Sequence, residues 1–323
     1  MQTQRFVPLR NRFVAGDFSG NTGLLALTGL LFLLLSLFVP RFFTLYNISN
    51  IVEQTSATGM MAIGLTFVLI TGGIDLSLPA VMAAAAVVGS TYMVQGGDPA
   101  IGCVLMLLTA VACGICNGLA VARLRMIPLV VTLSMMVIAS GLAVWITDAQ
   151  SVFGLPESYL FFFTRDWLYF PTPFISLLLA AGAAYLLLHK SMFGRWVFAI
   201  GLNAKTARIS GIPIRRVTLL VYTIAGAFAG FAAIHLTARL GSASASMGPE
   251  TLVLDVISAA VIGGVSIYGG KGTIHGVLFG ALFITIIGNS MNLLGVTYFT
   301  TLIIKGAIIV IATGVDALRA KAR

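Results

Sequence analysis

Residues 191–216 read SMFGRWVFAIGLNAKTARISGIPIRR, and this stretch decides how the rest of the chain is laid out. It separates two long apolar runs and cannot itself sit in lipid. Arg195, Lys205, Arg208, Arg215 and Arg216 lie within it, Lys190 stands just before it, and no acidic residue interrupts them. Membrane proteins retain Lys and Arg near span ends on the cytoplasmic side. The segment 190–216 is therefore expected in the cytosol, where it orients every other span. Within it, Ala204, Ala207, Ile209 and Ile212 are expected to form the apolar side of a short helix ended by Gly211 and Pro213. A short amphipathic helix with basic flanks can cap the bundle, rest on anionic headgroups, or dock into a soluble partner. Charge runs are usually solvated faces, so the residues alone favour the first two.

The composition places the whole chain in a membrane. Of 323 residues, 59% are hydrophobic and only 9% charged, against about a quarter charged in soluble proteins. The net charge of +9 would suggest nucleic acid in a soluble protein. Here the basic residues cluster at span ends on one side, which is topology, so no nucleic-acid partner is expected. Cys103, Cys113 and Cys116 fall in one apolar run without a neighbouring His or acid, which argues against redox or metal chemistry and reads them as small helix residues.

At about 20 apolar residues per crossing, ten spans are expected: 22–39, 53–71, 78–95, 101–122, 127–147, 173–189, 216–237, 252–268, 274–292 and 298–315. The fold class expected is an all-α integral membrane protein of about ten transmembrane helices with a short cytoplasmic helix. Residues 1–21, with Arg5, Arg10 and Arg12 against Asp17, are expected as a cytoplasmic N-terminal segment, 22–318 as the membrane domain and 319–323 as a cytoplasmic tail. The first apolar run is long for a signal sequence and lacks a cleavage pattern, so it reads as a retained span. Even parity puts both termini inside. Arg123, Arg125, Lys271, Arg319, Lys321 and Arg323 then fall inside, while Asp98, Asp148, Glu157 and Asp166 fall outside. Pairs of glycines four apart at 114/118, 226/230 and 276/280 offer faces on which spans approach closely. The outer loop 147–173 gathers Tyr159, Phe161, Phe162, Phe163, Trp167, Tyr169 and Phe170, suited to an interfacial belt, a plug or a short surface helix.

Two stretches break the apolar pattern. Thr71-Gly-Gly-Ile-Asp-Leu-Ser-Leu-Pro79 sets Asp75 and Ser77 among glycines and a proline, as a broken segment lining a pathway or as a tight turn capping the third span. Ile262-Gly-Gly-Val-Ser-Ile-Tyr-Gly-Gly-Lys-Gly-Thr273 invites comparison with a phosphate-binding loop. The comparison fails, because a Walker loop needs Gly where Val265 stands and Ser or Thr where Gly272 stands. No nucleotide site is expected on this chain. Among polar residues inside spans, Glu53 and His235 sit near outer ends and are expected at the interface. Asp255 and Lys305 lie deeper and are expected to form a buried pair, because either charge alone in lipid is costly.

With these residues laid out, the chain resembles the permease subunits of ribose-type ABC importers, the carbohydrate uptake branch of the branched-chain amino acid/sugar permease family. The likeness runs from Phe42 to Asp316, through FFTLYNISNIVEQTS ahead of span two, GLTFVLITGGIDLS at 64–77, NGLAVARLRMIPLVVTLSMM at 117–136, GRWVFAIGLNAKTARISGI at 194–212, AAVIGGVSIYGGKGTIHG at 259–276 and NSMNLLGV at 289–296. The resemblance implies a bacterial cytoplasmic (inner) membrane protein that is not itself an enzyme. It implies a partner ABC ATPase subunit holding ATP and Mg, a second permease subunit, identical or paralogous, and an extracytoplasmic solute-binding protein, with membrane lipid around them. Asn203, Ala204, Ala207, Arg208, Ser210, Gly211 and Ile212 match the helix that seats in the ATPase, so docking becomes the preferred role of this segment. Asn50, Phe67, Asp75, Ser77, Asn289 and Asn292 are expected to line or gate the pathway, on polarity and depth, since a sugar needs hydroxyl partners and stacking faces. Two departures stand out: Leu78-Pro79 where the family commonly has Gly-Ser, and Val253 where it commonly has an acid. Both bear on substrate rather than fold.

Two other classes compete. An ion-coupled secondary transporter would need Asp75 or Asp255 as its ion site, and would have no use for a long basic docking loop. An intramembrane enzyme would need paired carboxylates or grouped histidines, whereas His189, His235 and His275 are scattered over different span ends.

Overall fold

The computed structural model describes residues 17–167, 170–248 and 250–321. Most of the expected N-terminal segment, Tyr169 of the aromatic loop and the last two residues of the tail lie outside them. In chain order the helices are α1 (Asp17–Phe38), α2 (Leu45–Ile70), α3 (Leu78–Val94), α4 (Pro99–Ala122), α5 (Pro128–Thr147) and α6 (Glu157–Thr164). Two short antiparallel strands follow, β1 (Asp166–Trp167) and β2 (Phe170–Pro171), with Asp166 opposite Pro171. Then come α7 (Thr172–Tyr185), which runs into a π-helical turn at Leu186–Lys190, α8 (Met192–Leu202), α9 (Ala204–Ile209), α10 (Ile214–Leu240), α11 (Glu250–Ile262), α12 (Ile274–Leu293) and α13 (Tyr298–Lys321).

Each of the ten apolar stretches contains one helix, but the stretch 252–268 is helical only to Ile262, because the glycines from Gly263 onward turn the chain into the loop before α12. Among the described residues, six are both long and apolar enough to cross a bilayer: α4, α5, α7 with its π turn, α10, α11 with the 3-10 turn before it, and α12. The α2 helix is not among them, and its place explains why. It is buried without interruption from Thr55 to Ile70, so its upper half carries Glu53, Gln54, Thr55 and Ser56 against protein rather than lipid. It also begins well before residue 53, because Thr44 caps it by accepting from the Asn47 N–H. A boundary drawn on apolarity misses the first two turns, in which Leu45 and Tyr46 are exposed and Asn47 is buried against Asn289 of α12. The alanine-rich α3 is likewise buried from Leu78 to Val87. At the periphery α5 turns Val137 (68% exposed) and Trp145 (76%) outward, as lipid-facing helices do.

Glycine makes these crossings possible. The α10 helix packs most extensively on α4 and next on α2. A Cβ on Gly114 would stand 2.5 Å from the Tyr222 carbonyl oxygen, and one on Gly230 would stand 3.0 Å from the Cα of Leu107. A Cβ on Gly226 would run into the Ala110 carbonyl oxygen. The same holds between α11 and α12, where Gly263 meets the Gly276 carbonyl and Gly280 meets that of Ala259. All three glycine pairs thus lie at backbone-to-backbone contacts, the geometry by which helices associate where no hydrophobic drive exists between them.

The aromatic loop folds back on the bundle. Tyr159 is buried and donates to the Ile234 carbonyl at 2.6 Å. Phe163 packs edge-on to His235 with ring centroids 5.3 Å apart. His235 is therefore not interfacial as expected: α6 covers it, and its Nε2 lies 2.7 Å from Ser176 Oγ.

Gly226→Ala is expected to lower stability by about 1–3 kcal/mol through overpacking. Gly141→Ala, whose Cβ meets nothing, should be neutral or slightly stabilising. Thermal midpoints of the two purified variants by intrinsic fluorescence check the contrast.

Candidate functional site

The bundle has two polar ends. At the end bearing residues 190–216, Ser191 starts α8 by accepting from the Gly194 N–H at 3.1 Å. Asn203 starts α9 in the same way, its Oδ1 accepting from the Thr206 N–H at 3.0 Å. The helix stops at Gly211, whose φ of 78° suits a residue without Cβ. Gly211 N donates to the Arg208 carbonyl and Ile212 N to that of Ala207, both at 3.1 Å, the paired bonds of a Schellman stop. Six residues closed at both ends by their own side chain and backbone form a prebuilt knob. Only Ala207 is buried, at 3% exposure, while Ala204, Arg208 and Ser210 are exposed. Ile209 is 80% exposed, so it does not share a face with Ala207. Two residues along a helix is more than half a turn, which sends it to the opposite side.

Behind this knob is a joint. The Gly270 N–H donates to the Ile70 carbonyl at the end of α2, at 2.8 Å. Gly201, in the last turn of α8, presses on that same carbonyl and stands so close to Gly270 N that its Cβ would be 2.5 Å away. The glycine run 263–273 that fails as a phosphate loop thus clasps α2 to the helix that carries α9.

Near this joint, Asp75 and Ser77 form a closed polar knot, 2% and 0% exposed. Asp75 Oδ1 accepts from the Ser77 N–H at 2.9 Å and from Ser77 Oγ at 2.6 Å. Asn117 of α4 donates from Nδ2 to Ser77 Oγ at 3.0 Å, and Tyr222 of α10 donates to the Ile74 carbonyl at 3.3 Å. The knot ties the α2–α3 turn to α4 and α10. Ser77 occupies the start of α3 without a side-chain capping bond; its side chain is engaged by Asp75 and Asn117 instead.

At the opposite end, α2, α10, α11, α12 and α13 surround a cavity of about 250 Å³ lined by Gln54, Thr58, Arg239, Asp255, Thr285 and Lys305 among others. Lys305 Nζ donates to Asp255 Oδ2 at 2.8 Å, both side chains 17% exposed. Gly288 leaves room for the lysine to reach across, its absent Cβ lying 3.8 Å from Lys305 Nζ. Above it a second hollow of about 310 Å³ is lined by Tyr46, Ser49, Asn50, Glu53, Arg239 and Leu240. Arg239 faces both, with Nε 3.0 Å from Glu53 Oε2 and Nη2 donating to Asn50 Oδ1 at 2.6 Å.

The remaining expected pathway residues are dispersed. Phe67 is fully buried and packs on Phe193, centroids 6.5 Å apart. Asn289 and Asn47 exchange two amide hydrogen bonds, at 2.9 and 3.0 Å, clamping α12 to α2. Asn292 is exposed at the end of α12. The Glu53–Arg239 pair, Gln54, Thr58 and Thr285 were not expected in a site. Their only sequence signal was charge economy, since an acid and a base near the same face tend to meet.

Long apolar helices packed on glycine, with an exposed capped helix at one end and a polar cavity at the other, make up the frame of a multi-pass membrane permease. Residues 47–313 match the family described as branched-chain amino acid transport system / permease component, and the chain belongs to that family. The ribose import permease protein RbsC of Bacillus subtilis (strain 168) is 40% identical over 89% of each chain. The D-allose transport system permease protein AlsC of Escherichia coli (strain K12) is 36% identical over 88% of each. The L-arabinose ABC transporter permease protein AraH of Azospirillum brasilense is 34% identical over 98% of this chain and 93% of its own. Among solved structures, a metal-chelate type ABC transporter in an inward-facing conformation superposes with a TM-score of 0.53 over 93% of this chain and 98% of that one, at 15% identity. That likeness is one of fold.

Asp255→Ala and Lys305→Ala are each expected to cost about 2–4 kcal/mol, because each strands a half-buried charge. The exchange Asp255→Lys with Lys305→Asp should recover most of the loss, as measured by thermal midpoint and monodisperse yield.

Proposed function

We propose that this chain is the membrane subunit of an ATP-binding-cassette importer that moves a sugar or sugar-like solute into the cytoplasm by alternating access. In this reading all ten long helices cross the membrane with both termini inside, and the basic 190–216 segment faces the cytosol. A separate ATPase subunit binds ATP and Mg and grips the knob at 203–212. A solute-binding protein delivers to the outer loops, and a second permease subunit completes the pathway.

The observation that carries the reading is the construction of α9: capped at both ends, anchored by one residue, and presenting Ala204, Arg208, Ile209 and Ser210 to solvent. A short capped helix that exposes Ile209 among basic residues has the form of a helix seated in a partner's groove. The joint behind α9 gives a partner's pull a route into α2, as a two-state shift in helix packing requires. The solute class is drawn from relatives that carry ribose, allose and arabinose in their names. The ion-coupled alternative would rest on Asp75 or Asp255. Asp75 is closed off by Ser77 and Asn117, and Asp255 is held by Lys305, so both acids have protein partners.

The test is co-purification with co-expressed ABC ATPase subunits, comparing wild type with Ala204→Asp/Ile209→Asp. Gly211 is left alone because its positive φ would confound docking with strain. The ATPase is expected to accompany the wild type and to be lost from a variant of unchanged thermal midpoint. An ATPase that stays bound to the variant contradicts the docking role.

A further inference from the structure

The turn between α4 and α5 and the start of α10 together carry a positive patch that no acid of the neighbouring helices answers. Gly118 of α4 lies against α10, an added Cβ standing 2.8 Å from the Leu219 carbonyl oxygen, and Gly114 lies against Tyr222, so the two helices run antiparallel. About a turn further along α4 and a turn back along α10, Arg123 and Arg125 reach the same end of this crossing as Arg215 and Arg216. All four arginines are exposed. No acid stands between Asp98 and Asp148 or between Asp166 and Glu250, so α4, α5 and α7–α10 can supply none. The two ion pairs among the described residues, Glu53–Arg239 and Asp255–Lys305, lie at the opposite end of the bundle. The first turn of α10 holds no acid either, so its positive end adds to the arginines. The turn itself is fixed, with Met126 N donating to the Ala120 carbonyl at 3.2 Å, and it holds Arg125 at a φ of 57°, a conformation that costs an L side chain. Insertion bias accounts for the side of the membrane on which these arginines stand. It does not balance their mutual repulsion, which calls for an anion from outside the chain.

The surface beside the arginines says which anion. Leu124 (71% exposed) and Ile127 (67%) stand among and next to them, and Val130 continues the exposed apolar surface along α5. A soluble acidic protein or a free phosphate would engage the arginines and leave this apolar strip unused. A phospholipid uses both, its phosphate at the level of the helix ends and its acyl chain along the helix. We propose that the α4–α5 turn and the start of α10 form a binding site for an anionic phospholipid of the cytoplasmic leaflet. Its phosphate sits among Arg123, Arg125, Arg215 and Arg216, whose planar guanidinium groups match phosphate oxygens in pairs, and an acyl chain lies over Leu124, Ile127 and Val130. Bound there, the lipid bridges α4, α5 and α10 at the end of the glycine crossing, apart from the exposed α9. The proposal rests on the importer reading only for the leaflet, and it is tested without ATPase or transport, so either can fail while the other stands.

The experiment uses the full chain purified in a neutral maltoside detergent. Phosphatidylglycerol and phosphatidylcholine with the same acyl chains are titrated in, and retention of each is read by native mass spectrometry. The wild type is expected to retain phosphatidylglycerol in preference, and Arg123→Gln/Arg216→Gln to weaken that binding roughly thirtyfold. Ile127→Ser should weaken it roughly tenfold. Lys271→Gln, which removes an exposed base outside the patch, should leave it at the wild-type value. Equal retention of the two lipids by the wild type overturns the site before any substitution is made, so the test stands even if the arginine variant does not fold. Displacement of the lipid by inorganic phosphate, with no effect of Ile127→Ser, would make this a site for a soluble anion and overturn it as well. Unchanged lipid binding by Arg123→Gln/Arg216→Gln, with loss of a co-expressed ATPase subunit instead, would give the patch to protein docking and against the proposal.

Discussion

Lipid offers helices neither hydrogen bonds nor a hydrophobic reason to meet, so this bundle depends on how closely backbones can approach. The α4–α10 crossing sets the standard. Gly114, Gly226 and Gly230 bring the two helices into contact with no side chain between them, and α10 in turn packs against α2. Any larger residue there would push α10 outward, and with it Tyr222, which holds the α2–α3 turn, and Arg239, which holds Glu53.

From that crossing follows the role of α2 as a central column. Its lower end is bonded to the glycine loop and pressed by α8, the helix that carries the exposed α9. Its upper half places Asn50, Glu53, Gln54 and Thr58 at the polar hollows. One buried rod thus touches both ends of the molecule. The stretch from Thr55 to Ile70 is buried throughout, and so close-packed a segment transmits a displacement at one end to the other, which is what a lever between a docking site and a cavity requires.

Most of the long helices were legible because apolar length is a local property, and the short helix before Gly211 because a glycine stop is local too. The Asp255–Lys305 pair was legible for a thermodynamic reason: two isolated charges inside apolar runs leave each other as the cheapest partner. What local pattern could not show was which helix is central. The polar first half of α2 looked like loop until its neighbours were known, and Asn289 looked like pathway until Asn47 was found facing it. Ile209 lies across α9 from Ala207 because two residues carry the helix through more than half a turn, an angle that apolarity alone does not express. His235 seemed interfacial because its cover, α6, comes from a loop whose aromatics carry no periodicity.

Uptake energetics test this picture most directly. Proteoliposomes containing the chain with its ATPase and binding protein would be assayed for sugar uptake with and without internal ATP, in the presence of ionophores that collapse proton and sodium gradients. Uptake that requires ATP and is indifferent to the ionophores is the predicted result. Uptake by the chain alone, without ATP and abolished by an ionophore, would contradict it and return Asp75 and Asp255 to the position of ion-coupling groups.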